Sequence, residues 1–127
     1  MSDGKKILVL ENEPITQSLL KAILRKEGYQ VTITASYDEA ERAWQRDSFD
    51  LVIADYYLEG ALTGADFVSH MRNCDGVNRF PAIALSIADE VENSDAINQA
   101  GFDFFLPKPI DVRILTGTIE KLLQPSQ

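Results

Sequence analysis

Three short apolar runs constrain this chain of 127 residues more than any other feature: Ile7-Leu8-Val9-Leu10, Leu51-Val52-Ile53-Ala54 and Ala82-Ile83-Ala84-Leu85. None shows polar alternation, and each stops at a polar side chain: Glu11, Asp55 and Ser86. A strand with water on one face alternates apolar and polar residues. An uninterrupted run indicates burial on both faces, as in a central strand of a parallel sheet. In open α/β sheets, ligands bind in the crevice outside the carboxyl ends of the strands. Asp55, closing the run that Asp50 opens, is therefore a candidate for chemistry, and equally for an ordinary turn or helix cap until the other strands are placed.

The segments between these runs have helical signals. Glu11-Asn12-Glu13 leads into Pro14, well suited to a first helical turn. Ile15, Leu19, Leu20, Ile23 and Leu24 follow at three- and four-residue spacing until Gly28 stops the helix. Val31-Thr32-Ile33-Thr34 alternates like a half-covered strand. Ser36-Tyr37-Asp38-Glu39 starts a second helix as a capping box, with Ala40, Ala43 and Trp44 inward. A loop from Tyr56 to about Thr63 precedes a helix over about Ala65 to Asn73, presenting Phe67, Val68 and Met71. Asp89 to Ala100 is polar and weakly patterned, the least marked of the expected helices. Phe104-Phe105-Leu106 reads as a fifth strand before Pro107-Lys108-Pro109. A last helix, about Asp111 to Leu123, carries Val112, Leu115, Ile119 and Leu122 on one stripe. Five strands alternating with five helices imply an α/β domain, a parallel sheet covered on both faces by right-handed crossovers. No repeat or linker divides residues 1–127, so one domain is expected.

Composition narrows the partners. A net charge of −8 and a pI near 4.5 argue against direct nucleic-acid binding, which needs clustered Lys and Arg, and favour metal cations or basic protein surfaces. A lone cysteine, Cys74, excludes an internal disulfide and suits a reducing compartment. No run is long enough to span a membrane, and Met1-Ser2-Asp3-Gly4-Lys5-Lys6 lacks the apolar core of a signal peptide, so a cytoplasmic location is expected.

Parallel strands deliver their ends to one edge: Glu11, Asn12 and Glu13 from the first, Asp55 from the third, Ser86 from the fourth, Lys108 from the fifth. Carboxylates with an amide oxygen form a hard-oxygen pocket suited to Mg²⁺, which takes a few carboxylates plus waters and a phosphate. A lysine and a hydroxyl supply the counter-charge and hydrogen-bond donor that a phosphoryl group needs. His70 has no partner at ligand spacing, so it reads as a surface or partly packed residue; Trp44 and Tyr29 read as packing or surface aromatics.

With these landmarks in place, the chain from about Lys5 to Leu123 resembles the receiver domains of two-component response regulators. The resemblance rests on Glu11-Asn12, Asp55, Ser86, Phe105 and Lys108-Pro109. Ile53-Ala54-Asp55-Tyr56-Tyr57-Leu58 with Thr63-Gly64 is most similar to the C-terminal receivers of hybrid sensor histidine kinases. The resemblance implies a flavodoxin-like, doubly wound (βα)5 fold with strand order 2-1-3-4-5. Asp55 would accept a phosphoryl group from a phosphohistidine on a histidine kinase or histidine phosphotransfer protein. Mg²⁺ (or Mn²⁺) would be held by Glu11, Asn12, Asp55 and the Tyr57 backbone carbonyl, with Glu13 as a further acid. Lys108, before a peptide bond usually cis in the family, would pair with the phosphoryl oxygens. Ser86 and Phe105 would act as switch residues for the surface of the fourth helix, fifth strand and fifth helix, and a receiver dimer is a further possibility. With no output domain after the last helix, an effect is expected to pass through protein contacts or onward phosphotransfer.

Two residues depart from the family pattern. Asn12 stands where most members have a metal-binding aspartate, which lowers the charge of the site by one and implies weaker metal binding. Ile87 follows Ser86 where a small residue is usual, and screening of the acyl phosphate by it implies slow autodephosphorylation. These departures motivate a second reading, a phosphorylation-independent pseudo-receiver that works as a protein-binding module. An enzyme of the aspartyl-phosphate phosphohydrolase class would want D-x-D after the first strand, and here Tyr56-Tyr57 follows Asp55. A flavin module would want a Ser/Thr/Gly-rich phosphate loop where Glu11-Asn12-Glu13 stands. No enzymatic role beyond the domain's own phosphotransfer and dephosphorylation is expected.

Overall fold

The computed structural model describes residues 4–55, 64–73, 80–87 and 101–123. Five strands, β1 (Lys6–Leu10), β2 (Gln30–Thr34), β3 (Leu51–Asp55), β4 (Ala82–Ile87) and β5 (Phe104–Lys108), form one parallel sheet in the order β2-β1-β3-β4-β5. The described helices are α1 (Pro14–Lys26), α2 (Tyr37–Arg46), α3 (Gly64–Arg72) and α4 (Val112–Leu123). The expected helix over Asp89 to Ala100 and the loop after Asp55, including Tyr57, lie outside the described residues.

The apolar runs behave as two-faced strands. Leu8 and Leu10 of β1, Val52 and Ala54 of β3, and Ala82 and Ala84 of β4 share one core with Ala40 and Ala43 of α2 and Phe67, Val68 and Met71 of α3. Their strand neighbours Ile7, Val9, Leu51, Ile53, Ile83 and Leu85 share the other core with Leu20, Ile23 and Leu24 of α1 and Leu115 and Ile119 of α4. Two-residue periodicity thus splits each continuous run between two helical layers.

Local signals set the helix ends. Glu13 is the N-cap of α1 and Pro14 occupies the first turn. Gly28 has φ +89°, a left-handed conformation favourable for glycine just past a helix end. Ser36 caps α2 by accepting from the Glu39 N–H, while the Glu39 carboxylate returns one residue further back than a standard capping box, to the Ala35 N–H.

Three expectations are corrected. Ile15 and Leu19 do not join the buried stripe of α1: they are 78% and 40% exposed. At 3.6 residues per turn Ile15 lies roughly 140° around the helix from Leu20, so the spacing merged two faces. Val112, placed on the buried stripe of the last helix, is also exposed, because it is the first residue of α4. β5 continues past Leu106 through Pro107 to Lys108, which an edge strand tolerates because one side of it needs no hydrogen-bond partner. Trp44 packs its ring against Phe49, Phe67 and Phe80, and Tyr29 is buried against the α1 layer. His70 is an exposed residue beside Glu41 and Tyr37.

Candidate functional site

The strand register assembles the site. Leu10 pairs with Ala54, so Glu11 follows level with Asp55. Asp55 pairs with Leu85, placing Ser86 one step beyond, and Ser86 and Ile87 pair with Pro107 and Lys108. Four side chains from separate segments therefore meet at the carboxyl edge of the sheet. Lys108 precedes Pro109 across a cis peptide bond.

The Lys108 ammonium bridges two carboxylates. Its Nζ donates to Asp55 Oδ2 at 2.7 Å and lies 2.7 Å from Glu11 Oε1. The second contact is an ion pair by distance without hydrogen-bond alignment, so the buried Glu11 Oε1 has no hydrogen-bond partner among the described residues. Glu11 is otherwise tightly held. Its Oε2 accepts from the Glu13 N–H at 2.9 Å, its own N–H donates to the Thr34 carbonyl, and its carbonyl accepts from the Gln17 side-chain amide.

Burial raises the pKa of Glu11 above the ordinary carboxylate value, and the nearby Asp55 charge pushes the same way, against the opposing Lys108 ammonium and the bond from the Glu13 N–H. Burial works against the Lys108 charge, but its contacts with Asp55 and Glu11 outweigh that effect and raise its pKa. Both directions have one origin: two acids and one base share a site largely withdrawn from water.

Ser86 is buried, and its Oγ finds no hydrogen-bond partner among the described residues. Asp55 keeps 12% of its side chain exposed, a narrow opening to solvent beside the fully buried Glu11. Phe105 is half-buried on β5 and packs against the core layer of α2 and α3.

Asn12 is half-buried next to Glu11. Glu13, offered as a further metal ligand, instead has its carboxylate on the start of α1, accepting from the Ile15 N–H (2.8 Å), the Thr16 N–H (3.0 Å) and the Thr16 hydroxyl (2.7 Å). Those bonds, first that from the Thr16 hydroxyl, lower its pKa. Capping claims this acid because the first turn of α1 presents unpaired N–H groups directly to it. Gln17, which steadies the Glu11 backbone, gave no signal in the sequence beyond being a polar residue on the first turns of an amphipathic helix.

The donor set can be judged against a divalent cation. Glu11 Oε1 is a buried carboxylate oxygen whose contact among the described residues is the Lys108 ammonium, and Asp55 and the Asn12 amide are close to it in the chain and register. Such hard oxygens fit Mg²⁺. Among the described residues no three acidic, histidine or cysteine side chains converge.

A doubly wound parallel sheet with an acid–acid–lysine–hydroxyl cluster on its carboxyl edge defines a flavodoxin-like domain with its site at the strand ends. Comparison with known proteins makes this specific: the profile of the response regulator receiver domain matches residues 7–120, and the chain belongs to that family. An uncharacterised 14.6 kDa protein of Leptolyngbya boryana is 30% identical over 105 residues, 83% of this chain and 79% of that one. The Escherichia coli phosphate regulon transcriptional regulatory protein PhoB is 24% identical over 121 residues, 95% of this chain but only 52% of PhoB. Among solved structures, the receiver domain of the Pseudomonas aeruginosa sensor histidine kinase PA1611, with a magnesium ion coordinated in its active-site cleft, is 29% identical (TM-score 0.83; 94% of this chain, 98% of that one). A response regulator structure from Chloroflexus aurantiacus shares the fold with a TM-score of 0.88 at 23% identity, covering 94% of this chain and 98% of that one. The chain is a receiver domain of the two-component type, and among its described residues no helix is long and apolar enough to cross a membrane.

Proposed function

We propose that this domain is a phosphoacceptor: Asp55 takes a phosphoryl group from a phosphohistidine on a histidine kinase or histidine phosphotransfer protein. The observation that carries the reading is Lys108 Nζ at 2.7 Å from both Asp55 Oδ2 and Glu11 Oε1, with the buried Ser86 hydroxyl on the adjacent strand. An Asp55 oxygen attacks phosphorus, the bond from phosphorus to the imidazole nitrogen breaks, and the imidazole leaves with that electron pair. Lys108 offsets the charge on the phosphoryl oxygens, and the Ser86 hydroxyl donates a hydrogen bond to one of them. Glu11, Asn12 and Asp55, with the Tyr57 carbonyl, would hold Mg²⁺, which supplies charge neutralisation at the transferring group.

Phosphorylation brings up to about two negative charges and three strong acceptors to a site that already holds Lys108 and the buried Ser86 hydroxyl. Inverting a roughly 1:99 equilibrium takes about 5.5 kcal/mol, a scale that charge-assisted bonds from Ser86 and Lys108 together with a cation can approach. Ser86 turning toward the phosphoryl group leaves room for Phe105 to move inward, and the surface around β5 and α4 changes with it.

Intact-mass measurement after incubation with acetyl phosphate and Mg²⁺ tests this. The expected result is one phosphoryl increment on the wild type and none on Asp55→Asn. An unmodified wild type that remains folded would instead support the pseudo-receiver reading that Asn12 motivates.

A further inference from the structure

We propose that Gly64 is a positioning residue for the Asp55 carboxylate, an assignment that rests on Asp55 being the phosphoacceptor. Gly64 is the first residue of α3 and is buried. A Cβ at this position would overlap the Asp55 carbonyl oxygen, and would lie 3.0 Å from the Asp55 carbonyl carbon and 3.2 Å from Ala54 Cβ. The start of α3 thus rests directly on the backbone of the residue whose side chain reaches Lys108. Backbone cannot turn aside as a flexible side chain can, so any side chain larger than hydrogen must displace either the helix or the end of β3.

The helix is the stiffer of the two. Phe67 and Val68 are fully buried one turn on. Arg72 fastens the far end of α3 by donating to the carbonyls of Gly101 and Phe80 and to the Asp103 carboxylate. β3, by contrast, ends at Asp55: its last ladder pair on the β1 side is Ala54 with Leu10, and on the β4 side Asp55 with Leu85. The displacement therefore falls on the Asp55 backbone and carries the carboxylate out of register with Lys108 and Glu11. Gly117 provides the contrast within the molecule: it lies on the exposed face of α4, and a Cβ there meets nothing within 4 Å.

The test compares wild type, Gly64→Ala and Gly117→Ala. Phosphorylation by acetyl phosphate with Mg²⁺ is followed by intact mass, the fold by thermal melting, and the Lys108–Asp55 contact by the side-chain carbon NMR resonance of Lys108. Wild type and Gly117→Ala are expected to react alike. Gly64→Ala is expected to fold but to react roughly a hundredfold more slowly, the scale of an ångström-sized misplacement. Its Lys108 resonance should move toward that of a solvated lysine, a change that lowered stability alone would not produce in the folded molecules. An unchanged rate or an unchanged Lys108 resonance in Gly64→Ala overturns the positioning role and leaves the phosphoacceptor reading standing. A wild type that takes no phosphate sinks the phosphoacceptor reading, and the Lys108 resonance then decides the positioning role by itself. If Gly64→Ala does not fold, it is placed in the Gly117→Ala background, where helix propensity is raised. Failure to fold there too would show that the glycine serves the fold and not Asp55, and would overturn the proposal.

Discussion

The two ends of the sheet are built on opposite principles. At the amino end, where the strands begin, polar groups are paired. Asp103 Oδ2 accepts from the Ala82 N–H at 2.9 Å and from Arg72 at 3.0 Å, while the Arg72 guanidinium also reaches two backbone carbonyls and stacks 4.3 Å over the Phe80 ring. Asp50 and Lys6 exchange bonds in the same way: the Lys6 N–H donates to Asp50 Oδ2 at 2.8 Å, and the Asp50 N–H donates to the Lys6 carbonyl at 2.7 Å. At the carboxyl end two acids share one lysine, and both Glu11 Oε1 and Ser86 Oγ are buried without a hydrogen bond among the described residues. The first end closes the fold. The second gathers charge and a buried hydroxyl at one edge, the groups that the proposed phosphoryl transfer would use.

That contrast is open to attack at either end. The largest stability effect should come from Arg72→Ala, which leaves the Phe80 and Gly101 carbonyls and Asp103 short of a donor. It should destabilise by about 2–4 kcal/mol, consistent with breaking a part-buried charged network, read from urea unfolding, with phosphorylation of the folded fraction retained. A loss of phosphorylation without a loss of stability would show that the two ends are not separable. At the other end, Asn12→Asp should tighten Mg²⁺ binding roughly tenfold through one added ligand charge, measured by calorimetry, and should lower the stability of the metal-free protein by adding a third acid.

The smallest effect concerns pH. Glu11 has a raised pKa in the fold, so in metal-free buffer the native state binds more protons than the unfolded chain between the two values. The contribution of Glu11 to stability is therefore fully favourable below its unfolded pKa and is lost as pH rises through its folded pKa. Asp47, lowered first by its bond from Lys6 at the amino end, has the opposite sign: its contribution is present above the unfolded value and is lost as pH falls through the folded one. Glu11→Gln should remove the gain on acidification and leave the Asp47 loss in place. Thermal melts in EDTA between neutral pH and about pH 4, near the ordinary carboxylate range, would show this; an identical pH profile in the variant would contradict it.

Much of this was legible before any coordinates. The apolar runs at Ile7, Leu51 and Ala82 named the strands, and their polar terminators named Glu11, Asp55 and Ser86. Helix faces were less legible: Ile15 shares a spacing with Leu19 and Leu20 yet points away from the core, because periodicity fixes angles along one helix and not where the neighbouring layer lies. Glu13 had two roles open to an acid at that position, and the geometry of the first helical turn favoured the cap. Gly64 stands between the expected loop and the expected helix, and nothing local reports that Asp55 lies against it.

The sequence by itself determined which segments are strands and that their ends carry two acids, a hydroxyl and a lysine, because two-residue and 3.6-residue periodicities and helix caps are encoded within a few neighbouring side chains. Only the tertiary structure decided that Lys108 lies between Glu11 and Asp55, that the Ser86 hydroxyl is buried beside them, and that α3 bears on the Asp55 backbone. Those facts depend on parallel register and close packing between segments up to about a hundred residues apart, and interactions of that kind have no signature in any local stretch of chain.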